Sequence, residues 1–290
     1  MIKSELRSFH AVAVHGGFTA ASRQLNISQP TLSTQVKNLE GRYGIELFNR
    51  VGKKVHLTLA GKELFQITSR LSRAETDAEN LLESFRGFHA GTLNIAAVGP
   101  FHATDMIVGY KARFPSIDIE VHFGNSQKCV DQLLAYESDI AIIAEVKSDP
   151  RMITRPYSSH NVVVFVNADH EFANRDSISI HELDGQPVVR REVGSTTRSA
   201  IEAELDKRDI EVDIVIELGS REAIWKAVEK GLGLGFVADF EFVPHENLRA
   251  IPIEDAQVVT EYHIACLKER AESKLVKSFV ELAVPIGENL

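Results

Sequence analysis

Residues 18–44 read FTAASRQLNISQPTLSTQVKNLEGRYG, and no other stretch of the chain restricts the fold as tightly. Thr19 stands as an N-cap before AASRQL, and Asn26-Ile27 turns the chain. Ser28 then caps a second helix whose first turn holds Pro30, where a missing N–H costs nothing. In that helix Leu32, Val36 and Leu39 are spaced four and three, so they form one apolar stripe. The stripe must pack on the two segments before it, the first of which carries its own stripe of Leu6, Phe9, Ala13 and Val14 and ends at Gly16-Gly17. The opposite face presents Pro30, Ser33, Thr34 and Lys37, flanked by Gln29 and Asn38, with Thr31 in the first turn, and every one is uncharged or positive. Helix, tight turn and helix with such a face is the pattern of a helix-turn-helix. Short polar side chains let a helix sit deep in a major groove, where Gln bonds adenine edges and Ser or Thr reaches bases or phosphates. A solvated face of a plain three-helix bundle is the competing reading, but solvated faces mix both charge signs and this one does not.

The charge distribution agrees. The 290-residue chain has a net charge of -9, which as one number argues against a polyanion partner. Residues 1–58, however, hold eight Lys/Arg against three Asp/Glu, whereas residues 59–88 are near neutral and the remainder is strongly acidic. A basic head on an acidic body suggests a polyanion-binding module joined to something else. Val51-Gly52-Lys53-Lys54-Val55 reads as a hairpin, with Arg50, Lys53 and Lys54 at a basic tip placed to contact phosphate.

Thr58 caps a long helix running to about Phe88. Leu64, Ile67, Leu71, Ala74, Ala78, Leu81, Phe85 and Phe88 follow one another at alternating steps of three and four, an a/d seam with no glycine or proline before Gly87. Such a seam can pack on its own domain. Its length, its charged opposite face and the small alanines at its middle favour contact between two chains, and pairing would let two recognition helices bind two half-sites.

From Gly91 the pattern becomes strand and helix in alternation. TLNIAAVGP, IDIEVHF, DIAIIA, NVVVFVN, GQPVVRR, VDIVIEL and GLGFVA read as strands. Pro100 to Phe114, SQKCVDQLLAY, Thr196–Arg208 and Arg221–Lys230 read as helices. This is an α/β region with largely parallel sheets, and about 200 residues of it suggest two subdomains.

The stretch FHAVAVHGGFTAASRQLNISQPTLSTQVKNLEGRYGIELFNR, followed by LTLAG, resembles the LysR-type transcriptional regulators. Ser28-Gln29-Pro30, Leu39-Glu40, Leu47-Phe48, Arg50, Leu57-Thr58 and Gly61 keep the family's spacing without gaps, and REVGSTTR and VEKGLGLGFVA resemble its effector-binding half. Val51 departs from the pattern, since family members often carry a more polar residue after the arginine. The N-terminal sequence also faintly resembles regulators linked to aminoethylphosphonate breakdown. The resemblance implies an all-α winged helix-turn-helix over 1–58, a linker dimerisation helix over 59–88 and an effector-binding domain over 91–290. That domain would be similar to periplasmic binding proteins, with Rossmann-like subdomains at 91–160 plus 266–290 and at 161–265. The strands crossing between them would lie near Asn161 and Cys266. It further implies double-stranded DNA as a ligand, a homodimer or homotetramer, a small-molecule effector and RNA polymerase as a further partner. Family DNA contacts fall on Thr19, Gln29, Pro30, Ser33, Thr34, Lys37 and Arg50.

In a fold of that kind a ligand sits against helix N-termini that follow strands. Three such starts are present: Gly99-Pro100-Phe101-His102, Asn125-Ser126, and Ser195-Thr196-Thr197-Arg198. Free N–H groups, hydroxyls and an arginine favour a small anion such as a carboxylate, phosphate or phosphonate, although each start could equally be an ordinary cap. Ser220 and Glu222 read as structural capping. KGLGLGF precedes a strand rather than a helix, so it is not a dinucleotide site, and its glycines permit close packing. No GxSxG, P-loop or HExxH occurs, the histidines show no metal-ligand spacing, and no catalytic constellation or cofactor is expected. Cys129 and Cys266 read as buried thiols of a reducing cytoplasm, and neither a signal peptide nor a membrane span is legible. The rival readings are a solute-binding protein, or a small-molecule-binding protein or enzyme of the cytosol with an accessory DNA-binding head.

Overall fold

The computed structural model describes residues 2–51, 54–84, 91–144 and 149–283. The chain divides into two compact units, residues 1–90 with 135–137 and residues 91–134 with 138–290.

The first unit opens with helices α1 (Ile2–His15), α2 (Phe18–Gln24) and α3 (Gln29–Tyr43). Gly16 (φ 64°) and Gly44 (φ 66°) take the left-handed conformation that closes α1 and α3. The expected stripe Leu32, Val36 and Leu39 is buried, together with Phe9, Val12 and Ala21. Antiparallel strands β1 (Phe48–Val51) and β2 (Lys54–Leu57) pair Phe48 with Leu57 through Val51 with Lys54, which is the expected hairpin. Gly52 and Lys53, at its bend, lie outside the described residues. Helix α4 (Leu59–Ser84) follows, and Thr58 Oγ1 caps it by accepting the Gly61 N–H at 3.0 Å. A Cβ on Gly61 would run into the Leu47 carbonyl, so the glycine here marks a close backbone approach.

The seam of α4 splits in two. Leu64 is half-buried against Phe9, Leu39 and Leu47. Beyond it, Ile67 (55 % exposed), Leu71 (43 %) and Leu81 (51 %) face outward, as do Ala74 and Ala78. The helix instead turns a mixed face to α1: Thr68 bonds His10 at 3.2 Å, Phe65 stacks on the His10 ring, and Glu75 pairs with Lys3. Phe85 and Phe88 lie outside the described residues.

The second unit holds β3 (Thr92–Ala97), α5 (Pro100–Arg113), β4 (Asp118–Phe123), α6 (Ser126–Leu134), β5 (Ile140–Ala144) and β6 (Met152–Asn167). After a 3-10 turn at Ile180–Leu183 come β7 (Pro187–Arg191), α7 (Thr196–Asp206), β8 (Asp213–Leu218), α8 (Arg221–Glu229) and β9 (Gly235–Ala238). The chain continues through β10 (Leu248–Ile251), β11 (Val259–Leu267) and α9 (Lys274–Ala283). The main sheet runs β10-β6-β11-β5-β3-β4, with β9 also on β6, and β7 and β8 form a separate parallel pair. Strand β3 is parallel to β4 and β5, whereas every pairing of β6 and β11 is antiparallel.

Strand β6 joins the two halves of this unit. Its Met152–Asn161 portion pairs with β11, and its Val162–Asn167 portion pairs with β9 and β10. In the latter portion Val162, Val164 and Val166 enter one core while Val163 and Phe165 enter another, so the run VVVFV is buried on both faces. Strand β6 changes partners between Asn161 and Val162. The return differs from expectation: β11 is opposite β5 from Tyr262 to Ala265, so it has joined the first subdomain's sheet before Cys266. Side-chain patterning does not reveal where a strand changes partners. Cys129 and Cys266 are free and buried, and burial pushes the Cys129 thiol up to about 12. Among the described residues no helix is long and apolar enough to cross a membrane.

Candidate DNA-binding face and effector cleft

Helix α3 begins as expected. Ser28 caps it by accepting the Thr31 N–H at 3.2 Å, and the two hydroxyls are 2.7 Å apart. Gln29, Pro30, Thr31, Thr34, Lys37 and Asn38 are exposed and Ser33 is half-buried. Two of the head's three acids are drawn inward. Glu5 is buried and pairs with Arg42 at 2.9 Å, and Glu40 accepts the Leu47 N–H at 2.8 Å. Thr19 is exposed but is not a cap. Helix α2 already starts at Phe18 with Gly17 in the cap position and no side-chain hydrogen bond. The helix therefore starts two residues earlier than Thr19 suggests. Of the basic tip, Arg50 and Lys54 lie on β1 and β2, and Lys53 is outside the described residues.

In the second unit the three helix starts fall into two groups. At the first, Asn125 is buried and its Oδ1 accepts the Lys128 N–H. Ser126 Oγ donates to the Ala144 carbonyl at 2.7 Å and lies 2.7 Å from Thr196 Oγ1, which also donates to Ala144 O at 2.9 Å. The starts of α6 and α7 therefore meet across the two subdomains. Ser195 is buried and caps α7, accepting from the Arg198 N–H at 3.4 Å, and Thr197 is buried beside it. The Arg198 side chain departs from expectation. Its guanidinium reaches Glu202 at 2.9 Å, Glu217 at 3.0 Å and the Arg191 carbonyl at 2.9 Å, so its Nε and Nη1 donors are engaged within subdomain II.

The second group is the start of α5. Gly99 takes the cap position without a side-chain hydrogen bond, followed by Pro100. Phe101 meets Phe240 edge to face. His102 lies in a cage of Tyr157, His160, Phe240 and Tyr262, and its Nε2 is 3.1 Å from Ser158 Oγ. Burial first and the His160 charge second hold this imidazole down at about 4, against the opposing pull of Asp105.

Sequence reasoning missed the charges between these starts. Arg221 packs against Gly99 and pairs at 3.0 Å with Glu241, which is 2 % exposed. Burial raises the Glu241 carboxyl despite Arg221, the Tyr262 hydroxyl and the Arg191 charge. A cleft of ≈ 410 Å³ opens here, lined by Pro100, Phe101, Arg221, Trp225, Glu241 and Val243 among others. Arg191 holds Glu192 in a two-point pair at 2.9 and 3.0 Å, and Glu192 in turn accepts from Asn125 Nδ2 at 3.0 Å. Burial opposes the Glu192 charge, yet the Arg191 hydrogen bonds and charge, with the Asn125 amide, hold it at about 2. RREVGSTTR contained the signal, but Arg191 read as the end of a strand, and only tertiary contact shows Asn125 beside Glu192. Among the described residues no cluster of His, Cys, Asp or Glu is arranged to hold a metal ion.

Comparison with known proteins accords with both units. The family described as "Bacterial regulatory helix-turn-helix protein, lysR family" matches residues 4–62, and "LysR substrate binding domain" matches residues 86–285. A RuBisCO operon transcriptional regulator of Allochromatium vinosum is 31% identical over 236 residues, covering 81% of this chain and 78% of its own. The fold is shared with full-length CbnR solved with its target DNA (TM-score 0.70, 18% identity, 97% and 98% of the two chains). It is also shared with the Synechocystis PCC6803 CcmR regulatory domain in complex with 2-PG (TM-score 0.62, 21% identity, 69% and 98%). An acid-free helix-turn-helix face, a two-subdomain cleft lined by paired charges and matches spanning nearly the whole sequence have one explanation: the chain belongs to the LysR family of bacterial transcriptional regulators.

Proposed function

We propose that this regulator binds promoter DNA as a homodimer or a dimer of dimers, through residues 1–58, and responds to a small anion held by residues 91–290. Residues 59–88 pair the chains. The observation that carries the DNA reading is the α3 surface: exposed Gln29, Thr31, Thr34 and Lys37, with Glu5 and Glu40 engaged internally. Ser28, Pro30, Ser33, Thr19 and the hairpin cations Arg50, Lys53 and Lys54 complete the contact surface in this reading. DNA places the protein in the compartment that holds the chromosome.

Pairing is supported by the outward seam of α4 from Ile67 to Leu81. The edge strands β4 and β8, which expose Phe123 (59 %) and Val215 (39 %), offer a second apolar contact for higher assembly. The effector reading is supported by Arg221, which packs at the start of α5, and by Arg191, which is linked to the start of α6 through Glu192. Asn125, Ser126 and Thr196 supply hydrogen-bonding groups, and Gly99, Pro100, Phe101 and His102 supply the wall. A carboxylate, phosphate or phosphonate suits such donors. The faint resemblance to aminoethylphosphonate regulators points to the last of these, and the CcmR regulatory domain, which shares the fold, was solved in complex with 2-PG.

Fluorescence anisotropy with DNA from the chain's own locus, over a salt series, tests the first half. Affinity falls steeply with salt, and the double variant Lys53→Ala, Lys54→Ala lowers the log–log slope by up to about 2. An unchanged slope takes the hairpin off the DNA. Calorimetric titration of small acids tests the second half. Binding that survives Arg191→Gln and Arg221→Gln unaltered removes the cleft from the account.

A further inference from the structure

The Arg191 seat of the proposed function's anion site, on which this inference rests, is already internally occupied. Glu192 presents both carboxylate oxygens to Arg191, at 2.9 and 3.0 Å, and one of them also takes the Asn125 amide at 3.0 Å. Asn125 belongs to the start of α6 in the first subdomain, and its side chain is 6 % exposed overall as a residue. Arg191 and Glu192 lie at the end of β7 in the second. The same loop is seated closely: Gly194 has φ 92°, and a Cβ there would crowd Asn125 and Gln127 at 3.1–3.2 Å. Asn125 also donates to the Val193 carbonyl at 3.3 Å, so the tie between subdomains passes through residues 192–194.

We infer that Glu192 is a built-in competitor: its carboxylate fills the seat of the effector's acid group, and an effector binds only by displacing it from Arg191 and Asn125. The chemistry of the seat is the argument. A planar guanidinium with both donors aligned, plus a buried amide N–H, is the donor set that would recognise a carboxylate or phosphate oxygen pair. Supplying that acid from the chain keeps a buried amide and a cation satisfied in the unliganded protein. It also lowers the apparent affinity of any entering anion by the fraction of time the seat is free. An effector that takes the seat breaks the Glu192–Asn125 link, so occupancy and the tie between subdomains are coupled.

The test uses the full-length protein, inorganic phosphate as the probe, constant ionic strength and calorimetry at neutral pH. Glu192→Gln keeps the side-chain shape and removes the competing charge. It binds phosphate at least about tenfold more tightly than the wild type, about 1.4 kcal/mol. Glu192→Asp, whose shorter carboxylate cannot hold Arg191 and Asn125 together, gives a smaller gain and serves should the Gln variant fold poorly. Adding Arg191→Gln to Glu192→Gln abolishes the gain. If Glu192→Gln matches the wild type within twofold while Arg191→Gln loses phosphate, the anion cleft stands and the competitor does not. If Glu192→Gln binds no phosphate, neither reading survives.

Discussion

Helices α3 and α7 start the same way and end up in opposite circumstances. Each has a serine N-cap whose hydroxyl accepts the N–H three residues on, Thr31 for Ser28 and Arg198 for Ser195. At α3 the cap and the residues after it are mostly exposed, and the acids nearby are engaged elsewhere. At α7 the cap is buried, Thr196 is bonded across to Ala144 and Ser126, and Arg198 is held by two glutamates. A capping signal fixes where a helix begins. Whether its first turn is open to a ligand depends on what the rest of the fold places there. An exposed, acid-free start suits a polyanion, which needs many simultaneous contacts and no internal rival. A covered start suits a small ligand only where a neighbouring group can exchange.

The largest effect expected comes from giving α3 what it lacks. Thr34→Glu places a carboxylate on the exposed face and should weaken DNA binding by about a hundredfold at low salt, since repulsion from phosphates is added to any lost contact. Thermal stability and phosphate binding should be unchanged, because Thr34 is exposed and belongs to the other unit. Anisotropy and calorimetry on one preparation would show both. DNA binding unaffected by this change would mean that α3 does not face the duplex.

Removing the two caps sharpens the comparison. Ser195→Ala removes a buried cap from the partly buried Arg198 N–H and should cost about 2 kcal/mol, the upper end for a cap. Ser28→Ala exposes its N–H to water and should cost about 1 kcal/mol of stability. Chemical denaturation of the two variants should preserve that order. Equal losses would mean that burial of the cap adds nothing.

This asymmetry also marks what was legible in the sequence. The head could be read almost residue by residue, because its helices obey local rules: the Leu32-Val36-Leu39 stripe, the Ser28 and Thr58 caps, and the Gly16 stop all lie within a few residues of what they determine. Thr19 misled because a glycine without a capping side chain started α2 earlier. In the effector half most strand and helix runs were legible, but β10 and α9 were not anticipated and β6 began earlier than NVVVFVN suggested. The α6 and α7 starts were identified, but not the charges between them. Glu192 meets Asn125 across 67 positions of sequence, and Arg221 meets Glu241 only because α8 and the segment after β9 converge beside Gly99. Nothing in a periodicity records such meetings.

The start of α5 extends the comparison to a helix with no capping side chain at all. There His102 is enclosed by aromatic rings and held at about 4, below its ordinary 6.5, so the fold favours the neutral ring. The sign follows from linkage. The stability from keeping the ring neutral is present above pH 6.5 and is lost as pH falls through about 4, when the folded state must take up the proton. The imidazole is only partly shielded, so the effect is modest and spread over those units. Melting temperatures measured from pH 7 to pH 4 should decline less in His102→Phe than in the wild type. Parallel curves would assign the decline to other groups.

Arg198 offers the smallest change and the sharpest test of the contrast. By sequence it is the obvious anion ligand, placed in the first turn behind Ser195, Thr196 and Thr197. In the fold its side chain is directed to Glu202, Glu217 and the Arg191 carbonyl, away from the Ser126–Thr196 junction. Arg198→Ala should therefore cost below about 1 kcal/mol of stability, as partly exposed ion pairs do. Its phosphate affinity should match the wild type, whereas Arg191→Gln should abolish binding. If Arg198→Ala instead loses the anion, its guanidinium must swing from its carboxylate partners when ligand enters, and the covered start of α7 would be as available as the open start of α3.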